Sequence, residues 1–140
     1  MFGLSDEAVT GDRRALVVDD DPGIRVLVTR ILTRNGFVVE TARDGAEAIE
    51  MVLQHDYNVI TLDLMMPRID GFAVVKYLTE HRPELLANVI VVTAFGPNAF
   101  EKVCPPVVRF IEKPFDLNAL LAEATACADD EAPAGPPLEA

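Results

Sequence analysis

Short apolar runs that each lead into a polar residue constrain this chain more than any other feature. Ala15–Val18 runs into Asp19-Asp20-Asp21, Val59–Leu62 into Asp63 and Val89–Val92 into Thr93, while Val107–Ile111 leads to Lys113-Pro114. Runs this brief, rich in β-branched residues and without polar alternation, predict strands buried on both faces. Phe37–Thr41 reads as one more strand.

Helical spacing fills the intervals. Asp21 with Pro22 suits an N-cap followed by proline at the first helical position, and Ile24, Leu27, Val28, Ile31 and Leu32 repeat until Asn35-Gly36. Asp44 and Glu47 resemble a capping box ahead of an apolar face of Ala46, Ile49, Val52 and Leu53. Asp70-Gly71 opens a helix carrying Phe72, Val75 and Leu78 that closes before Pro83. Asp116 caps a last helix with Leu117, Leu120, Leu121 and Ala124 on one side. Alternating strands and helices imply right-handed crossovers and an α/β fold whose parallel sheet is covered on both faces.

One interval breaks the pattern. Between Ala94 and Pro106, Gly96-Pro97 and Pro105-Pro106 leave only Asn98–Val103 free of breakers, fewer than about two helical turns. A helix so short depends on packing from Phe100 and Val103. The expectation is a fourth helix that is short, displaced or mobile, in a monomer whose partner contact is made at this segment.

The remaining organisation is simple. Residues 1–13 read as a flexible leader, 14–127 as one domain and 128–140 as an acidic, Pro/Ala-rich tail or linker. Twelve Lys and Arg against 23 Asp and Glu give a net charge of −11, which repels phosphate backbones and argues against direct DNA binding. No apolar stretch is long enough for membrane insertion, and Met1–Gly11 lacks the pattern of a secretory signal, so a cytoplasmic protein is expected. Cys104 and Cys127 have no metal spacing and read as packing residues, and His55 and His81 as exposed surface histidines.

The strand ends carry the chemistry. In an open α/β sheet the C-terminal ends of the strands meet along one edge, where ligands bind. Asp19, Asp20, Asp63, Thr93 and Lys113 therefore converge on one pocket. Each alone could be a helix cap or a solvated loop end; five at equivalent positions are not explained that way. Close carboxylates repel, and a hard divalent cation with oxygen ligands relieves the repulsion, partly hydrated Mg²⁺ being the natural candidate. With Lys113 as a second positive charge, such a pocket suits transfer of a phosphoryl group to a carboxylate. Asp63, alone at its strand end, is the candidate nucleophile, and Asp19 and Asp20 form the metal pair.

This constellation resembles the receiver domain of two-component response regulators, of the chemotaxis-regulator kind. The matching pieces are Leu16-Val-Val-Asp-Asp-Asp-Pro22, Val59-Ile-Thr-Leu-Asp-Leu-Met-Met-Pro67 with Asp70-Gly71, Val89-Ile-Val-Val-Thr-Ala94, and Phe110-Ile-Glu-Lys-Pro-Phe115. The resemblance spans residues 13–127 and implies a flavodoxin-like (βα)5, doubly wound, five-stranded parallel sheet in the order 2-1-3-4-5. It further implies that Asp63 takes a phosphoryl group from a histidine kinase or histidine phosphotransfer protein. Asp20, Asp63 and the backbone carbonyl of Met65 would bind Mg²⁺, with Asp19 supporting the metal through water. Thr93 and Lys113 would hold the phosphoryl oxygens. Phe110 would be the aromatic switch at a face built by the fourth helix, the fifth strand and the last helix, contacted by a downstream protein.

Other functions fit less well. Flavin phosphate binding needs a Ser/Thr/Gly-rich loop after the first strand, where Asp19-Asp20-Asp21 repels an anion. An aspartyl-phosphate phosphatase carries a second aspartate two residues past the nucleophile; that position is Met65, so turnover of an outside substrate is not expected. An unswitched interaction module would lack one of the acidic, threonine or lysine residues, and none is missing. Met65 and Phe95, two residues past Asp63 and Thr93, cannot hold a hydrolytic water, so a long-lived phosphorylated state is expected. No output domain follows residue 127, which suggests a stand-alone or excised receiver.

Overall fold

A computed structural model describes residues 13–94, 101, 107 and 109–129. The strands β1 (Arg13–Val18), β2 (Phe37–Ala42), β3 (Val59–Leu62), β4 (Val89–Thr93) and β5 (Arg109–Glu112) form one sheet in the order β2-β1-β3-β4-β5, each pairing parallel. This is the flavodoxin-like order. The described helices are α1 (Pro22–Arg34), α2 (Gly45–Gln54), α3 (Gly71–His81) and a last helix, Leu117–Ala128. Most of the span holding the doubtful fourth helix, including Asn98, Phe100 and Val103, lies outside the described residues, as do Cys104, Phe95, the leader through residue 12 and the tail from residue 130.

Each described α-helix starts on an aspartate. Asp21 accepts from the Gly23 amide at 2.8 Å, Asp44 from Glu47 at 2.9 Å, Asp70 from Ala73 at 3.0 Å and Asp116 from Asn118 at 2.9 Å. Glu47 reaches back to accept from the Arg43 amide at 2.8 Å, one residue before the cap, in a variant of the capping box.

The sheet is buried on both faces because neighbouring residues along a strand point to opposite sides. Ala15 and Val17 join Val28, Leu32, Val59, Leu120 and Ala124 in the core beneath α1 and the last helix. Leu16 and Val18 join Ala48, Val52, Ile60, Leu62, Val74 and Leu78 in the core beneath α2 and α3.

Several expectations need correction. The α2 face that packs inward is Gly45, Ala48 and Val52, whereas Ala46 and Leu53 are exposed. The Gly45 amide donates to the Ile69 carbonyl at 3.1 Å, and this approach sets which side of α2 meets the sheet. The apolar spacing on α1 does form a helix, in which Val28 and Leu32 take the inward stripe and Leu27 is 47% exposed. The first strand begins at Arg13, before the apolar run. The Arg13 and Arg14 guanidinium groups lie over the Phe37 and Tyr57 rings and pair with Asp129 at 2.6 Å and Glu40 at 3.2 Å, so each charge meets both an aromatic face and a carboxylate. The fifth strand runs from Arg109 to Glu112, later than expected, and Pro83–Asn88 forms a 3-10 helix that periodicity did not suggest. The histidines match: His55 and His81 are exposed. Cys127 is buried, its thiol directed at the Asn58 and Ala87 carbonyl oxygens at 3.6 and 3.7 Å, as suits a packing residue.

A buried ion pair also escaped the sequence pattern. Arg109 on β5 bonds Glu123 on the last helix at 2.6 Å, and both side chains are under a tenth exposed. Glu123→Ala removes a buried carboxylate partner from the Arg109 guanidinium and should cost about 3 kcal/mol in urea unfolding. Replacing both residues by apolar ones (Arg109→Met with Glu123→Leu) should recover most of that loss.

Candidate functional site

The parallel ladder continues one residue beyond the strands at their C-terminal edge. Asp19 donates its amide to the Ala42 carbonyl at 3.2 Å, Asp63 to Val18 at 3.0 Å and Lys113 to Thr93 at 2.8 Å. Backbone pairing thus sets Asp63 beside the end of β1 and Lys113 beside the end of β4, as the strand-end argument requires.

The side chains converge. Carboxylate oxygens of Asp19, Asp20 and Asp63 lie within 4.8 Å of one another, with Asp19 and Asp63 buried and Asp20 exposed. The Lys113 ammonium donates to Asp19 Oδ2 at 2.9 Å and to Asp63 Oδ2 at 3.3 Å. Asp63 Oδ1 accepts from the Met65 amide at 3.1 Å, and the Met65 side chain is 51% exposed. Of the three consecutive aspartates, Asp21 is committed to capping α1, and Asp19 Oδ1 accepts the Asp21 amide at 2.9 Å. Thr93 ends β4 at the same edge with its side chain buried. Phe110 stands on β5 beside Val91, half-buried against the α2–α3 core and three residues before Lys113.

Electrostatics mark Asp63. Burial pushes its carboxyl above the usual carboxylate value, and the Asp19 charge adds to the rise, against the Met65 amide and Lys113. Burial also disfavours the Lys113 ammonium, yet its hydrogen bond to Asp19 and the charges of Asp63 and Asp19 outweigh it and hold it above the ordinary lysine value. Three carboxylates around one pocket, only partly offset by Lys113, offer hard oxygen donors and residual negative charge that fit a divalent cation such as Mg²⁺.

Supporting contacts had no signal in the sequence. Arg25, one turn into α1, donates to the Asp19 carbonyl at 2.7 Å and steadies the first acidic loop. Gly71 lies so close beneath the site that a Cβ there would sit 2.4 Å from the Asp63 carbonyl oxygen and 2.6 Å from Leu64 Cα. The Asp70-Gly71 pair reads as a helix start in the sequence; the close approach becomes visible only when α3 is docked.

The Asp63 shift predicts how stability depends on pH. Below the ordinary carboxyl value of 3.8 the group is protonated whether folded or unfolded, and it costs nothing. As pH rises through its elevated folded value, the native state must ionise a buried group, so stability is lost. Asp63→Asn should therefore unfold at higher urea than the wild type at pH 7, with the gap closing as pH falls toward 3.8. Mg²⁺ should also narrow the gap at pH 7, by stabilising the wild type through binding.

Comparison with known proteins agrees with this geometry. The family described as the response regulator receiver domain matches residues 15–125. Response regulator MprA of Mycobacterium sp. (strain KMS) is 36% identical over 132 residues, covering 89% of this chain and 56% of that protein. The chain thus spans about half the length of the curated relatives it matches, and the expected absence of direct DNA binding has no support for a longer protein. The Francisella response regulator 1452 receiver domain superposes with a TM-score of 0.76 at 28% identity, covering 85% of this chain and 98% of that one. The Thermotoga maritima response regulator TrrA, in complex with Mg²⁺ and BeF, gives 0.72 at 27% identity, covering 82% and 98%. Among the described residues no helix is long and apolar enough to cross a membrane. With a matching profile across most of its length and an acidic cluster at the sheet edge, the chain belongs to the response regulator receiver domain family, whose members are phosphoacceptors in two-component signalling.

Proposed function

We propose that the chain is phosphorylated on Asp63 in a Mg²⁺-dependent reaction. The observation that carries this reading is the convergence of Asp19, Asp20, Asp63 and Lys113 at one edge of the sheet. Asp19, Asp20, Asp63 and the Met65 backbone carbonyl would hold the ion, which when bound offsets the charge of the acidic cluster and of the incoming phosphoryl group.

The chain's own groups do the rest. The Asp63 carboxylate attacks phosphorus, forming an O–P bond as the P–N bond to a phosphohistidine donor breaks. Lys113, already directed at Asp63, follows the transferred oxygens as their counter-charge, and the Thr93 hydroxyl hydrogen-bonds one of them. Phe110 then reports the state of Thr93 at the surface formed by the fifth strand and the last helix, where a downstream protein reads it. Met65 stands where a phosphatase would need a second carboxylate, which supports a phosphoacceptor without external turnover.

The donor arrives as a protein, either a histidine kinase or a phosphotransfer protein. A groove of about 490 Å³, lined by Ile24, Leu27, Pro114, Phe115 and Leu117, adjoins Lys113 itself and offers apolar contact beside the reacting carboxylate.

A small phosphodonor with Mg²⁺ should add one phosphoryl mass to the wild type and none to Asp63→Asn; full labelling of the Asn variant would refute the assignment. Met65→Asn should speed loss of phosphate by placing a hydrogen-bonding group where a thioether now shields the acyl phosphate. One such hydrogen bond corresponds to about tenfold in rate, or about 1.4 kcal/mol. Following phosphorylated protein by mass over time measures it, and a wild type that dephosphorylates within seconds would overturn the account.

A further inference from the structure

The loop joining β3 to α3 is fastened to the N-terminal end of α2 by contacts outside the acidic cluster. Arg68 in this loop has φ of +64°, in the left-handed region that side chains other than glycine and asparagine seldom adopt. Something must hold it there. Its guanidinium donates to Asp44 Oδ2 at 3.0 Å, while the other carboxylate oxygen of Asp44 caps α2 through the Glu47 amide. The next residue, Ile69, gives its carbonyl to the Gly45 amide at 3.1 Å, and a Cβ on Gly45 would lie 2.3 Å from that oxygen. At its start the loop is tied by the Met65 amide to Asp63 at 3.1 Å and by the Leu64 carbonyl to the Gly71 amide at 3.1 Å. Met65 therefore sits in a short span anchored at both ends, and the Arg68–Asp44 pair is its most exposed anchor, with side chains 74% and 14% accessible.

We propose that Arg68 is a positioning residue for the divalent-cation site: paired with Asp44, it keeps the β3–α3 loop in the conformation from which the Met65 carbonyl serves as a ligand. The inference rests on the reading of that carbonyl given above. Global stability is not the point, because an exposed ion pair contributes little to it. The pair selects one conformation of a loop that would otherwise leave the left-handed region.

Charge and geometry make opposite predictions, which gives a sharp test. Removing the positive charge of Arg68 should by simple electrostatics tighten binding of a divalent cation. Loss of the latch should weaken it. Titration of the whole chain with Mg²⁺ alone, by calorimetry, should show Arg68→Ala binding about tenfold more weakly than wild type, in line with loss of an outer contact around a metal site. Arg68→Lys should recover most of the affinity, and Asp44→Asn, which retains a capping oxygen, should weaken binding as Arg68→Ala does. Urea midpoints of all three should stay near the wild-type value. Unchanged or tighter binding in Arg68→Ala, or weakening only in step with lost stability, would overturn the latch. If Asp63→Asn bound Mg²⁺ as well as wild type, the cation site itself would be refuted, and the latch with it.

Discussion

The Lys113 ammonium placed between Asp19 and Asp63 is the interaction on which the rest of the site depends. Two buried carboxylates a few ångströms apart are mutually repulsive, and burial raises the cost of ionising Asp63. One lysine donating to both makes the arrangement tolerable without abolishing its negative charge. The negative charge that remains is what suits the pocket to a divalent cation.

The fold supplies that interaction by backbone means. Parallel pairing extends one residue past β1, β3 and β5, so the side chains at those positions inherit the spacing of the ladder. Glycines then let neighbouring segments approach the site. Gly71 brings α3 against the Asp63 backbone, and Gly45 brings α2 against Ile69. Either approach would be blocked by a methyl group, so local packing around the β3–α3 loop is set by backbone contact more than by side-chain fit.

Charge in this chain divides by location. The aspartates at helix starts are tied to amides and serve the helices, as Asp21, Asp44, Asp70 and Asp116 show. Those at strand ends face one another and serve the site. The same residue type in adjacent positions, Asp19-Asp20-Asp21, thus does two different jobs, separated by which backbone conformation carries it. A third group of charges fastens layers together: Arg109 to Glu123 inside the protein, and Arg82 to Asp56 and Glu84 at the surface.

By itself the sequence determined the order of elements, the aspartate caps and the convergence of Asp19, Asp20, Asp63 and Lys113, because these follow from local signals. An apolar run has a length, a cap has a fixed offset, and strand ends in a parallel sheet share an edge. The order 2-1-3-4-5 was reached only through resemblance, since nothing local says which strand lies beside which. Tertiary structure alone decided the rest. The inward side of α2 turned on the Gly45–Ile69 contact, so Ala46 and Leu53 were misread; which of the apolar residues on α1 face inward was likewise not set by spacing. Arg109 and Glu123 carry no mark of being buried partners, and neither Arg25 on the Asp19 carbonyl nor Arg68 on Asp44 can be inferred from spacing. Each of these joins residues that meet only after helices dock on the sheet, and docking is set by the whole packed surface, not by any short stretch of chain.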